Sequence, residues 1–593
     1  RMSMCRLRWA CCVAVLCGWA TAQAADQATA PLAGTPWPAT DALNRRLPLH
    51  DEVGAPKEGR FVGIFYFLWL NEKDNRSPHH EGPYDVARIL AMDPDALKKA
   101  DSTLWGPVGR SHYWGEPLYG YYLSSDPWVL RRHAHQLADA GIDTLIFDTT
   151  NAVTYRDVYM EMCRVFREVR ADGGTTPQIA FMVNTHAGET AQRIYDELYK
   201  PGLHPELWFR WQGKPLMICD PEQANDELRR FFTLRRAHWP FEQINTPYAW
   251  HWEATYPQAY GYTDDPNKPE QVNVSVAQNL RISDGKVTNM SDGNARGRSF
   301  RDGKIDTAPD AVLHGHNAQE QWKRALALQA PFTMVTGWNE WIAGRWQRPN
   351  QPIVFVDQYN QEHSRDIEPM KGGHGDNYYW QLVANIRRYK GAPALPPASP
   401  PITIRLQDGF EQWRQVRPEF RDHAKDTLPR DFGGAGGLHY VNRTGRNDLL
   451  ASKVARDATT ISFHIRTRQP ITPHTDQAWM WLLLDIDQNP ATGWQGYDFI
   501  VNRQVHNATT TWLEKHAGNW KWEKIAQVSF RAEGCELALS IPRAALGLPE
   551  KTTAVALNFK WADNIQQPGD IMEFWVNGDA APDGRFMYPY VAE

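Results

Sequence analysis

The sequence is short of cysteine, of basic charge and of long apolar runs, and each shortage excludes something. Of its 7 cysteines, Cys5, Cys11, Cys12 and Cys17 fall near the N-terminus, leaving Cys163, Cys219 and Cys535, an odd set far apart. A disulfide framework is therefore not expected to hold the fold, and the remaining thiols should be free and buried. Lys and Arg total 64 against 69 Asp and Glu, a net charge of −5, and losing Arg1, Arg6 and Arg8 with a leader makes the chain more acidic still. That balance argues against a nucleic-acid partner. No run beyond the N-terminus reaches the length of a membrane span. No phosphate-binding glycine fingerprint follows the first predicted strand, which argues against a dinucleotide fold.

What the chain has in excess is tryptophan, 26 residues of it, within an aromatic content of 12%. An indole face stacks well on the C–H face of a pyranose while its N–H still donates to a hydroxyl. The competing use is a large Trp-rich core.

The N-terminus has the pattern of a secretory signal over residues 1–24. Arg1, Arg6 and Arg8 precede an apolar stretch over 9–19, and Ala22-Gln23-Ala24 is a small-x-small cleavage site. Cys17 follows Leu16, not the small residue of a lipoprotein signal, so the expected product is secreted or periplasmic, with no membrane attachment after cleavage. After an extension over 25–54, a barrel domain is expected over 55–390, a proline-rich spacer over 391–401 and a second domain over 402–593.

Upstream of the spacer, apolar runs alternate with helical patterns. Strands are predicted at 61–70, 142–147, 178–183, 215–219, 273–277, 332–336 and 353–356, with helices over 127–141 and 155–170. Near eight strands in this arrangement indicate a (β/α)8 TIM-like barrel. Downstream, strands at 460–467, 479–485, 498–502, 509–514, 537–541 and 554–561 follow one another without crossover helices. The fold class is thus multidomain, a TIM-like barrel followed by an antiparallel β-sandwich.

In a barrel the chemistry sits where strands end. Candidates there are Trp69, Asp148, Asn151, Asn184, His186, Asp220, Trp250, His251 and Glu253, then the loop Trp338-Asn339-Glu340-Trp341. Glycosidic cleavage needs two carboxyl groups, and aromatic neighbours both floor a sugar subsite and raise the pKa of an adjacent acid. Glu340 between two tryptophans is the first candidate, with Glu253 or Asp148 as its partner; the other residues are candidate substrate contacts. Each carboxylate has a structural alternative, a bond to a neighbouring loop. His79, His80, His112, His186, His251, His314 and His316 suggest a rival metal-dependent hydrolase or deacetylase, though none has the tight helical spacing of a zinc motif.

The 61–69 strand with its aromatic tail, Gly141-Ile142-Asp143-Thr144-Leu145-Ile146-Phe147-Asp148 and Trp338-Asn339-Glu340-Trp341 resemble the barrels of glycoside hydrolase families 99 and 71. The resemblance implies an endo-acting enzyme on α-mannosides or α-1,3-glucans, and it covers residues 55–390. Those families carry a second acid three residues after the first, where this chain has Ala343. Arg345 nearby is a candidate contact for an acidic sugar. The stretch 482–498 resembles family 9 carbohydrate-binding modules, which implies sugar ends clamped by aromatics and a structural calcium, with Asp485, Asp487 and Asp498 as oxygen donors. Trp494, Trp512, Trp520 and Trp522 are its candidate stacking residues.

The expectation is an exported glycoside hydrolase acting on a poly- or oligosaccharide, needing no cofactor for catalysis. The alternatives are a non-catalytic glycan-binding protein with a degenerate barrel, and a metal-dependent carbohydrate deacetylase. The sequence assigns no oligomeric state.

Overall fold

A computed structural model describes residues 36–347 and 351–593. The expected leader over 1–24 lies outside the described residues.

The first domain is built on parallel strands β1 (Phe61–Tyr66), β2 (Thr144–Thr149), β3 (Gln178–Val183), β4 (Lys214–Ile218), β5 (Thr233–His238), β6 (Ala249–His251), β7 (Gln271–Ser275) and β8 (Phe332–Thr336). Their order is β6-β5-β4-β3-β2-β1-β8-β7, parallel throughout, which is the succession of a TIM-like barrel. β6 and β7 end that order, and a side chain closes the seam between them. Gln271 accepts from the His251 N–H at 2.8 Å and donates to the His251 carbonyl at 2.9 Å.

Helices cover the β1 to β4 side, and sequence chemistry bounds them. In α1 (Pro127–Ala140) the Asp126 carboxylate caps the first turn by accepting from Trp128 N–H, and Gly141 ends the helix at φ 90°, where a Cβ would be strained. α2 (Arg156–Ala171) buries Val158, Met162, Val165 and Phe166 at helical spacing, matching the predicted segment. Between β5, β6 and β7 the chain forms no helix, only loops that rise to the strand ends.

Two expectations need correction. The 353–356 segment is not a barrel strand; Val354–Phe355 pairs antiparallel with the hairpin strand Ile342–Trp346 beyond β8. β5 and β6 take its place in the count. Cys163 and Cys219 are buried free thiols, while Cys535 is half-buried.

The second domain is built on one large antiparallel sheet, beside a two-stranded pair of Arg430–Gly433 and His439–Asn442. Its strands are β9 (Phe420–Arg421), β10 (Leu449–Arg456), β11 (Thr460–Thr467), β12 (Trp481–Asp485), β13 (Phe499–Val505), β14 (Thr510–His516), β15 (Trp522–Glu533), β16 (Glu536–Pro542), β17 (Val555–Asp563), β18 (Asp579–Ala581) and β19 (Tyr588–Ala592). The order is β9-β10-β11-β16-β15-β14-β13-β12-β17-β18, with β19 on β17. The sheet curls until its ends face each other. Phe463 then packs on Phe559 at 5.5 Å between ring centroids, and Trp561 donates to Ser452 at 2.9 Å.

The two domains share a wide polar and aromatic boundary. Arg430 donates to Asp126 at 2.8 Å, and Arg585 donates to Asp376 at 2.9 Å. The extension before the barrel belongs to this boundary. Trp37, fully buried, packs on Phe420 and Tyr588 at 5.6 and 5.3 Å. The proline-rich segment also bonds to its surroundings, Ala392 to Gly54 and Ser399 to Arg417.

Candidate active site

A cleft of about 300 Å³ opens where the barrel strands end. Asp148, Glu340 and Asp357 reach into it among Phe65, Phe67, Trp69, Trp239, Phe241 and Trp252. Asp148 and Glu340, buried in such a wall, are poorly solvated, whereas the Asp357 side chain is half exposed.

Glu340 stands on the loop after β8, and backbone and side-chain hydrogen bonds tie that loop to its surroundings. Trp338 N–H donates to the Phe65 carbonyl at 2.9 Å, and Asn339 brackets Phe67, accepting from its N–H at 2.8 Å and donating to its carbonyl at 3.3 Å. The Glu340 N–H donates to Asp366. One Glu340 oxygen, Oε2, accepts from Gln358 at 3.1 Å and from Arg365 at 3.2 Å. Burial nonetheless drives its pKa well above the usual carboxylate range; Arg365 opposes this, while Asp357, Asp366 and Asp148 add to it.

Asp148 ends β2 pointing into the cleft, and its Oδ1 accepts from Thr150 N–H at 3.1 Å and Thr150 Oγ1 at 2.7 Å. Burial raises its pKa too, against those bonds. Glu253, beyond β6, is 1% exposed and does not line the cleft. Its Oε1 accepts from Arg365 at 3.1 Å while Oε2 has no donor, and burial pushes its pKa up to about 7, again opposed by Arg365.

Arg365 thus serves both glutamates with one guanidinium, lies 3.6 Å from Asp357, and sits over the Trp252 ring at 4.7 Å. It lies in a loop without apolar periodicity, so pattern reading passes over it. The signal that remained was composition: Ser364-Arg365-Asp366-Ile367-Glu368 is a dense charged run that folds wholly buried. Asp357, Trp239 and Phe241 were missed for a related reason, since they sit on long loops rather than at strand ends legible in the sequence.

Among the expected substrate contacts, Trp69 and Asn151 line the cleft, and Asn184 accepts from the indole of Trp239 at 3.0 Å beside it. The rest lie elsewhere. Trp338 and Trp341 are fully buried behind the wall, where Trp341 stacks on Trp114 at 4.9 Å and donates to Glu368 at 2.6 Å. Asn339 is spent on Phe67. Trp250 stacks on Phe332 at 4.5 Å inside the barrel, and His251 lies in the β6–β7 seam. Arg345 clamps the carbonyls of Trp105, Gly106 and Pro107. Asp220 caps a turn by accepting from Glu222 N–H at 3.0 Å, and His186 is exposed at the start of the helix Ala187–Ile194. Ala343 pairs with His112 and packs with Tyr84 and Phe355, so its position does not face the cleft.

Among the described residues, the three groupings of His and Asp compact enough for a metal all lie away from this cleft. One is Asp485, Asp487 and Asp498, whose donor atoms fall within 4.8 Å of one another. Asp485 is 2% exposed and its Oδ1 has no hydrogen-bond donor, so this all-oxygen set fits a hard cation. Trp520 contacts Trp481, Trp494 and Trp522 nearby, at 5.6, 4.6 and 5.4 Å. Trp512 stands apart, beneath Lys524 at 4.8 Å.

No family model and no curated protein matches the chain. Among solved structures it is similar to the GH99 endo-α-mannosidase of Bacteroides thetaiotaomicron, with 15% identity over 55% of this chain and 96% of that one, and a TM-score of 0.32. A second structure of that enzyme gives 14% identity, 55% and 97% coverage, and a TM-score of 0.31. SpGH29 gives 9% identity, 86% and 96% coverage, and a TM-score of 0.20. At those scores the likeness carries no information on substrate.

Proposed function

We propose that the chain is an exported glycoside hydrolase that cleaves a poly- or oligosaccharide in the cleft holding Glu340 and Asp148. One observation carries the reading: two carboxyl groups that burial shifts upward share an aromatic-walled cleft at the strand ends of a barrel. Burial raises both carboxyls, and the charge of Asp148 adds to the rise at Glu340, which suits Glu340 to the part of the acid. Glu340 then protonates the glycosidic oxygen while the Asp148 carboxylate attacks the anomeric carbon or activates water. Arg365 and Glu253 act as positioning residues, fixing the Glu340 rotamer from behind. Trp69, Trp239 and Phe241 offer stacking faces for sugar rings.

The family 99 and 71 resemblance makes α-mannosides and α-1,3-glucans the first substrates to try. The second domain is read as a sugar-binding module with a structural Ca2+ held by Asp485, Asp487 and Asp498. Export to the periplasm or the medium is supported by the 1–24 pattern alone. The test is the release of new reducing ends from a panel of α-linked and uronate-containing oligosaccharides. Product from any member supports hydrolysis; binding without product across the panel favours a non-catalytic glycan-binding protein.

A further inference from the structure

Asp422, Asp426 and Asp579 bring their carboxylate oxygens within 4.8 Å of one another where the sandwich meets the barrel, far in sequence from the Asp485 group. Asp426 and Asp579 are 5% and 4% exposed. Each of the three leaves an oxygen with no hydrogen-bond donor: Oδ2 of Asp422, Oδ1 of Asp426 and Oδ1 of Asp579. None forms an ion pair within 4.0 Å, whereas neighbouring Asp448 is paired with Arg468 and Asp139 with His423. Buried carboxylates left like this must be protonated or meet a cation. Burial, followed by their mutual repulsion and that of Asp583, raises the pKa of Asp422 and Asp426.

Lys560 acts on Asp422 and Asp579 but forms no ion pair within 4.0 Å with either. Lys560 is buried, but its ammonium is given to the Pro582 carbonyl and lies 4.9 Å from the Phe574 ring. Asp422 is half-buried as a residue, although its Oδ2 is buried.

We propose that Asp422, Asp426 and Asp579 bind a hard divalent cation, Ca2+ by its all-oxygen chemistry, independently of the Asp485 group. The ion ties the loop after β9 to β18. That loop also carries His423 and Lys425, which bond the barrel residues Asp139 and Asp172 at 2.9 and 2.7 Å. The cation therefore holds the sandwich against α1 and α2.

The test uses the full chain with Asp487→Asn and Asp498→Asn, stripped with EGTA, so that the other acidic group is silenced. Reloading is expected to leave one Ca2+ per chain by metal analysis and to raise Tm by about 5 °C at saturating Ca2+. Adding Asp426→Asn or Asp579→Asn should abolish both effects, while in EGTA these variants are at least as stable as their parent because a repelling charge is gone. No bound Ca2+ and no Ca2+-dependent shift in the chain carrying only the first two substitutions would overturn the proposal. That background measurement decides the matter even if a cluster variant fails to fold.

Discussion

Arg365 and Glu340 meet at 3.2 Å in a site where the guanidinium is fully buried, yet the Glu340 carboxyl is held well above the usual carboxylate range. Burial outweighs the attraction of Arg365, which also contacts Glu253 and Asp357. Asp357, whose side chain is 50% exposed, is the adjustable member of this group. Its charge raises the Glu340 pKa, so Asp357→Asn should lower it. The expected outcome is a basic limb of the kcat/KM profile moved to lower pH; a limb unmoved or moved upward would disconnect Asp357 from the acid.

Glu253 makes stability depend on pH in a definite direction. Its pKa in the folded chain is about 7 against an ordinary 4.5, so the folded state holds the proton more tightly than the unfolded one. The resulting stabilisation is complete below about pH 4.5 and is lost as pH rises through 7. In full that is about 3 kcal/mol. Glu253→Gln should therefore gain stability relative to the parent between pH 4.5 and 8, as measured by thermal unfolding at both values. A difference that is flat with pH would refute the assignment.

The β6–β7 seam depends on the amide of Gln271. Replacing it with alanine leaves the His251 N–H and carbonyl without partners, at a cost of about 2 kcal/mol. Gln271→Glu keeps the acceptor but loses the donor. Hydrogen exchange at 249–251 should rise in both variants, more in the alanine one.

Phe241 is 69% exposed at the edge of the cleft, a costly position for a phenyl ring unless something stacks on it. Phe241→Ala should raise KM roughly 2- to 10-fold with kcat little changed, the worth of one aromatic contact. A fall in kcat alone would argue against a role in binding substrate.

The barrel was legible where helices separate strands, and illegible where they do not. β5 reads Thr-Leu-Arg-Arg-Ala-His, which looks like a helix end because Arg235 interrupts it; the arginine is buried by pairing with Glu270 at 2.7 Å. In the sandwich, β15 was hidden because one of its faces is polar and exposed over much of its length. Glu340, Asp148, Trp69 and Asn151 could be read at strand ends, but Asp357, Trp239 and Phe241 could not. Trp338 and Trp341 have the composition of a sugar platform, and only packing reveals that Trp114, His133 and Tyr379 occupy their faces. Arg365 carried no periodic signal at all.

The most direct test of the central claim is kcat/KM for Glu340→Gln and Asp148→Asn on any glycan the parent cleaves, with folding checked by circular dichroism. Both variants should remain folded and lose activity by roughly 10²- to 10⁴-fold or more, since one lacks the proton donor and the other the second carboxylate. Glu340→Gln turning over at the parent's rate would contradict the account.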